Sequence, residues 1–168
     1  ATKDGKPDDL EGEIPTVFVE QLPQSVIDSH FGFGVLNRPH SIGTLLRTPP
    51  LRAQLTADFV FLLETDHVLM RPVPNLATPS TPAAFIFGYM HASSGQDRII
   101  QRYWAEGSYA QLQPVGPSPL LIHVSQLEEL QQRWLDYSLG LRSNKEAEAV
   151  MQGWVQEMWG YSIAAASL

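Results

Sequence analysis

The pattern of apolar residues predicts an α/β protein with three layers, helices on both faces of a sheet. Two observations carry this: apolar runs of strand length near positions 60, 85 and 122 alternate with stretches of helical period, and neither an internal repeat nor an interdomain linker interrupts them. A length of 168 residues suits one domain, and 43% apolar content with four tryptophans is enough to build a core.

In chain order, Ile14-Pro15-Thr16-Val17-Phe18-Val19-Glu20 has the composition of a short strand, with Pro15 near its start, where a missing amide donor is tolerated. Residues 21–34 are expected to be loop. Val35-Leu36-Asn37-Arg38-Pro39 leads into a helix through Ser41, Leu45 and Leu46, which Thr48-Pro49-Pro50 should end. Phe59-Val60-Phe61-Leu62-Leu63 is uninterrupted by polar residues, the signature of a strand buried on both faces in a parallel sheet. After a stretch broken by Pro72, Pro74, Pro79 and Pro82, residues 83–89 return to strand composition, and 96–105 is a candidate helix with Ile99, Ile100 and Tyr103 inward.

Gly116-Pro117-Ser118-Pro119 is expected to form a rigid loop before a strand at 120–124. Ser125-Gln126-Leu127-Glu128 has the capping-box pattern, opening a helix with an apolar stripe of Leu127, Leu130, Trp134 and Leu141. A second box, Ser143-Asn144-Lys145-Glu146, should open the terminal helix. The chain lacks an initiator Met and closes on helix formers without a glycine cap, so we expect a fragment of a longer domain, incomplete at both ends.

Composition excludes several function classes. A net charge of −7 with no Lys/Arg cluster argues against a nucleic-acid surface or an anionic-membrane patch, which need concentrated positive charge. Without cysteine there is no disulfide, thiolate metal site or cysteine nucleophile. No Gly-rich phosphate loop and no G-x-S-x-G turn is present, which removes support for kinase, dehydrogenase and serine-hydrolase readings. No stretch reaches the ~20 apolar residues of a membrane span, and the N-terminus lacks a signal-peptide hydrophobic region.

Chemistry concentrates at two places. Glu64-Thr65-Asp66-His67 ends the long apolar run, and in extended geometry Glu64 and Asp66 would leave the strand on one side, able to hold Mg²⁺ or Mn²⁺ against a diphosphate with His67 beside them. The alternative is a solvated acidic turn where a strand leaves the core. On the terminal helix, Trp154, Glu157 and Tyr161 are spaced to share a face. Glu157 is then either a boundary carboxylate reaching solvent or an arginine, or a group in a sugar- or acceptor-binding wall.

Taken in order, these segments resemble the plant and green-algal hydroxyproline O-arabinosyltransferase family. The resemblance rests on Gly5-Lys6-Pro7-Asp8 with Glu13-Ile14-Pro15-Thr16, on Val35-Leu36-Asn37-Arg38-Pro39, and on Glu64-Thr65-Asp66-His67 with the prolines after it. It continues through Ala83-Ala84-Phe85, Ile99-Ile100 with Arg102-Tyr103, Pro114-Val115-Gly116-Pro117-Ser118-Pro119 and Gly153-Trp154-Val155-Gln156-Glu157-Met158 with Tyr161.

The resemblance implies a GT-A-like, metal-dependent transferase that moves L-arabinofuranose from a UDP-sugar to hydroxyproline in secreted or cell-wall peptides, with retention of configuration. It further implies a Golgi-lumen enzyme held by a membrane anchor outside this chain, with Mn²⁺ or Mg²⁺ as cofactor and a hydroxyproline-rich peptide as partner. Carried onto this sequence, Glu64, Asp66 and His67 would serve the metal, and Asn37 and Arg38 with the two carboxylates the donor. Glu157 would be the catalytic carboxylate, while Trp154, Tyr161, Gly116 and Ser118 would bind substrate. Two departures stand out: Thr65 where the family has proline, which leaves the ligands available, and Pro117 where it has asparagine, which deletes an amide donor and a polar side chain. Related readings are transfer of another sugar, such as galactose to serine, and a noncatalytic relative binding proline-rich peptides through Trp154, Trp159 and Tyr161.

Overall fold

A computed structural model describes residues 9–168; the Gly5-Lys6-Pro7-Asp8 motif lies outside them. Helix α1 is Gln24–Ser29 and α2 Asn37–Arg47, with Pro39 in its first turn, where a missing amide hydrogen leaves no bond unmade. Thr48 is extended and ends α2, as expected, but Pro49 and Pro50 then start a further turn, α3, Pro49–Arg52. Strands β1 (Phe59–Leu62) and β2 (Ala83–Ile86) follow, then α4 (Asp97–Ile100), β3 (Val115–His123), α5 (Val124–Arg142), α6 (Lys145–Val150) and α7 (Gln156–Ala166).

The mixed α/β composition is observed; the parallel three-layer arrangement is not. The described strands form one antiparallel sheet in the order β1-β3-β2. Val60 faces Ile122 across the sheet, Leu62 faces Leu120, and Ala84 also meets Leu120. That register brings Leu120, Ile122, Val60, Leu62 and Ala84 to one face, against Ile42 and Leu46 of α2, Leu127, Leu130 and Trp134 of α5, and Tyr161 and Ala164 of α7. The opposite face carries Phe61, Leu121 and Phe85 over a hollow of about 320 Å³ bordered by Val73, Pro74 and Leu76. The described architecture is therefore two layers, helices on sheet. The apolar run at 59–63 misled because a strand bearing large side chains on both faces reads alike whether it is central or at an edge. Here β1 is an edge strand and only half-buried.

Other local expectations are corrected too. Ile14–Glu20 forms no strand, and residues 24–29 are helical where a loop was expected. Gly116-Pro117-Ser118-Pro119 lies within β3, with the Ser118–Pro119 peptide cis, at the irregularity where pairing with β2 skips from Leu120 to Val115, so the missing proline amides fall outside the paired positions. The cap of α5 is His123, whose ring accepts from the Ser125 amide, so the helix starts before the predicted box. The second box acts through Asn144, which accepts from Glu146 and Ala147, but it opens only the short α6. Gln152 then turns left-handed (φ 51°) and α7 begins afresh at Gln156. The helix expected over 96–105 is confined to α4, although Ile99 and Ile100 are fully buried as predicted.

The main packing axis is α5 against α7. Gly160 lets the two backbones meet: a Cβ there would come within 2.9 Å of the Ser138 amide nitrogen and 3.0 Å of its Cα. A second cluster, including Met90, Ile99, Leu141, Met151, Trp159 and Ile163, closes the end of the helical layer that holds α6. Among the described residues no helix is long and apolar enough to cross a membrane.

Candidate active site

One cleft of about 240 Å³ gathers residues scattered over 120 positions of sequence, among them Arg38, Glu64, His67, Ser118, Trp154 and Glu157. Each arrives by a different element. Arg38 comes from the first turn of α2, Glu64 and His67 from the turn after β1, Ser118 from β3, and Glu157 from the first turn of α7, where the helix dipole favours a carboxylate. The α7 start is held by Trp134 and Ser138, both donating to the Glu157 carbonyl.

Arg38 is the hinge of the electrostatics. One guanidinium nitrogen donates to Glu157 Oε2 at 2.7 Å and another to Glu64 Oε1 at 2.5 Å. The two pairs differ in surroundings: the Glu157 side chain is 1% exposed and that of Glu64 43%. Burial therefore pushes the Glu157 carboxyl up to about 7, against the pull of Arg38, and the nearby Glu64 charge adds to the rise. Near neutrality this carboxyl is poised between its two forms. Its second oxygen, Oε1, is buried and has no hydrogen-bond partner, and neither does the buried Ser118 hydroxyl of the same cleft. Both residues line the cleft, so each brings to its wall a polar atom for which the protein supplies no hydrogen-bond partner.

The remaining sequence candidates fall in different places. The extended geometry expected through Glu64 and Asp66 does not persist: His67 donates back to the Glu64 carbonyl, residues 65–66 form a turn, and Asp66 does not line the cleft. The Glu64 amide in turn donates to His67 Nδ1. Among the described residues no three His, Asp or Glu side chains are grouped so as to hold a metal ion, and Glu64 already serves a cation, Arg38. These residues do not by themselves fit a divalent ion. Asn37 spends its side-chain oxygen on the Leu22 amide at 2.8 Å, pinning the segment before α1. Gly116 abuts the cleft from behind, since a Cβ on it would meet Met158 Cε at 2.5 Å and Phe87 Cε2 at 3.0 Å. Tyr161 is 1% exposed and stacks edge-on against Trp134 in the core, so it shares a face of α7 with Glu157, as its spacing implied, but Trp154 is not on that face and Tyr161 does not line the cleft. The break before α7 is the reason.

Sequence reasoning missed Phe87, Tyr89, Met158 and Val35, which line the same cleft. The spacing Phe85-x-Phe87-x-Tyr89 was the available signal for the first two.

Comparison with known proteins matches residues 1–168 to the hydroxyproline O-arabinosyltransferase family N-terminal domain. The chain belongs to this family. It is 35% identical over 164 residues to a hydroxyproline O-arabinosyltransferase of Medicago truncatula and 37% identical over 163 residues to hydroxyproline O-arabinosyltransferase 3 of Arabidopsis thaliana; each match covers 96% of this chain and 43% of the relative. A peptidyl serine alpha-galactosyltransferase of Arabidopsis thaliana is 24% identical over 178 residues, covering 100% of this chain and 21% of that protein. The chain thus spans less than half the length of these relatives. No solved structure matches it. Membership in the family accounts for the in-order motifs on which the cleft is built.

Proposed function

We propose that this chain forms part of a transferase that moves an L-arabinofuranosyl group from a UDP-linked donor to the hydroxyl of hydroxyproline in a secreted or cell-wall peptide. The carrying observation is the pair of orphaned atoms, Glu157 Oε1 and Ser118 Oγ, in a cleft where Arg38 fixes the other carboxylate oxygen. In the reaction the bond from the anomeric carbon to the diphosphate oxygen breaks, a bond from that carbon to the hydroxyproline oxygen forms, and the hydroxyl proton passes to the departing diphosphate, which leaves as UDP. Glu157 Oε1 is placed to accept a hydrogen bond from a ligand hydroxyl and, when ionised, to stabilise positive charge on the sugar. Ser118 serves as a second hydrogen-bonding group, and Arg38 keeps Glu157 from turning away.

The reading includes Mn²⁺ or Mg²⁺ on the donor diphosphate and work in the Golgi lumen. The donor set of the Glu64–His67 turn is incomplete, so it would supply at most part of such an ion's ligands.

The deciding experiment incubates the complete protein with UDP-L-arabinofuranose and a hydroxyproline peptide, followed by mass analysis. A gain of one pentose on hydroxyproline supports the reading; an unmodified peptide with correctly folded, full-length protein rejects it. UDP-galactose with a serine peptide tests the second reading, which the likeness to a peptidyl serine alpha-galactosyltransferase favours.

A further inference from the structure

The wall of the cleft opposite the charged groups is aromatic. Phe87 and Tyr89 lie 5.3 Å apart between ring centroids with planes tilted by 32°, and Tyr89 and Trp154 lie 4.9 Å apart with a tilt of 42°. Exposure grades along this row: Phe87 is half-buried, Tyr89 is 40% exposed and Trp154 61%. The outward position of Trp154 is built at a cost. Gln152, a residue with a side chain, sits left-handed just before it, and Arg142 donates to the Gly153 carbonyl and to Gln156 to hold the turn. An exposed tryptophan presented by a strained, braced turn beside two unpartnered buried polar atoms calls for an occupant.

We propose that the Phe87–Tyr89–Trp154 row is the platform for the acceptor peptide, and that it holds a proline-rich segment in the polyproline II conformation with its hydroxyl-bearing residue directed to Glu157 and Ser118. This rests on the transferase reading for its choice of ligand. Two observations favour a prolyl peptide over a sugar ring. The row is three rings long, with successive centroids 5.3 and 4.9 Å apart, which suits the successive rings of a polyproline II chain, whereas a single furanose ring covers only one aromatic face. Exposure rises outward along the row, from half-buried Phe87 to Trp154, so its occupant runs from the cleft to the surface as an extended chain does.

The test uses the full-length protein with a synthetic peptide of alternating proline and hydroxyproline, and a glycine-serine peptide of equal length as control. Trp154→Ala and Tyr89→Ala should each raise the acceptor KM about tenfold without raising the donor KM, while Tyr89→Phe, which keeps the ring, stays within about twofold. Calorimetric titration of the same peptide measures binding independently of turnover and of the tryptophan that is replaced. Peptide binding weakened by these substitutions in a protein that transfers no sugar would uphold the platform and reject the transferase reading. Sugar transfer with an unchanged acceptor KM in Trp154→Ala and Tyr89→Ala would overturn the platform, as would a rise confined to the donor KM, which would place the sugar on the row.

Discussion

Replacing Glu157 by glutamine isolates the buried charge on which the cleft turns. The folded carboxyl titrates at about 7 against an ordinary value of 4.5, because burial outweighs the Arg38 ion pair. A carboxyl whose folded pKa is raised favours the folded state fully below its unfolded pKa. Between pH 4.5 and 7 the unfolded chain releases this proton while the folded chain keeps it, so stability falls as pH rises and the loss is complete above the folded value. At about 1.4 kcal/mol per pKa unit, the shift corresponds to about 3 kcal/mol between pH 4 and pH 9. Glutamine keeps the shape and an oxygen for Arg38 but has no proton to lose. Urea unfolding at closely spaced pH values should show the wild type losing about 3 kcal/mol more than Glu157→Gln across this window. Parallel stability curves for the two proteins would refute the reasoning, since they would mean that Glu157 titrates alike in both states. In the complete enzyme the same substitution should lower turnover about a hundredfold, with a smaller change in acceptor affinity.

Further outcomes follow from individual contacts. Arg38→Met leaves the buried Glu157 without its cation and should cost about 2–4 kcal/mol near pH 8 in chemical denaturation, the loss shrinking at pH 5, where the carboxyl carries its proton. Gly160→Ala forces a methyl group onto Ser138 at the α5–α7 crossing and should lower stability by about 2–3 kcal/mol, measured as a shift in urea midpoint. Tyr161→Phe should leave both KM values within about twofold, because the ring is core and not cleft; a selective loss of acceptor binding would restore Tyr161 to the site. Asp66→Asn with metal titration tests the acidic turn: a raised metal requirement for transfer would show that this turn helps hold the ion despite its incomplete donor set, and an unchanged requirement would place the ligands elsewhere.

The residues that converge were more legible than the frame that brings them together. Glu64 stands out in the sequence because it ends an apolar run, Trp154 and Glu157 because a carboxylate stands between aromatics at helical spacing, and Arg38 through the family motif that carries it. The ion pair between Arg38 and Glu157 joins positions 119 apart, and no local pattern specifies such a partner. The option of an arginine for Glu157 was readable; which arginine was not. Strand positions near 60, 84 and 121 were likewise legible from apolar runs, while direction and order were not, because register and pairing depend on contacts between distant segments. The break between α6 and α7 was missed because Gln152 gives no hint of a left-handed backbone, and that one residue separates Trp154 from the helical face assigned to it.

That break also explains how one short stretch can serve two purposes. Had residues 145–166 formed a continuous helix, Trp154 would have pointed along the same face as Glu157 and Tyr161, toward α5 and the core. Ending α6 at Val150 and restarting at Gln156 lets Trp159 and Tyr161 remain buried while Trp154 turns outward to meet Tyr89. Glu157, in the first turn of the new helix, is left at the boundary between these regions: its backbone is fastened to Trp134 and Ser138, one carboxylate oxygen to Arg38, and the other is buried without a hydrogen-bond partner. A carboxyl held this firmly cannot relieve its burial by moving into solvent, so it relieves it by holding its proton to near neutrality or by taking a hydrogen bond from what enters the cleft. The fold thus supplies both the raised pKa and the vacant acceptor through the same geometric cause, and a ligand hydroxyl is the simplest group that satisfies it.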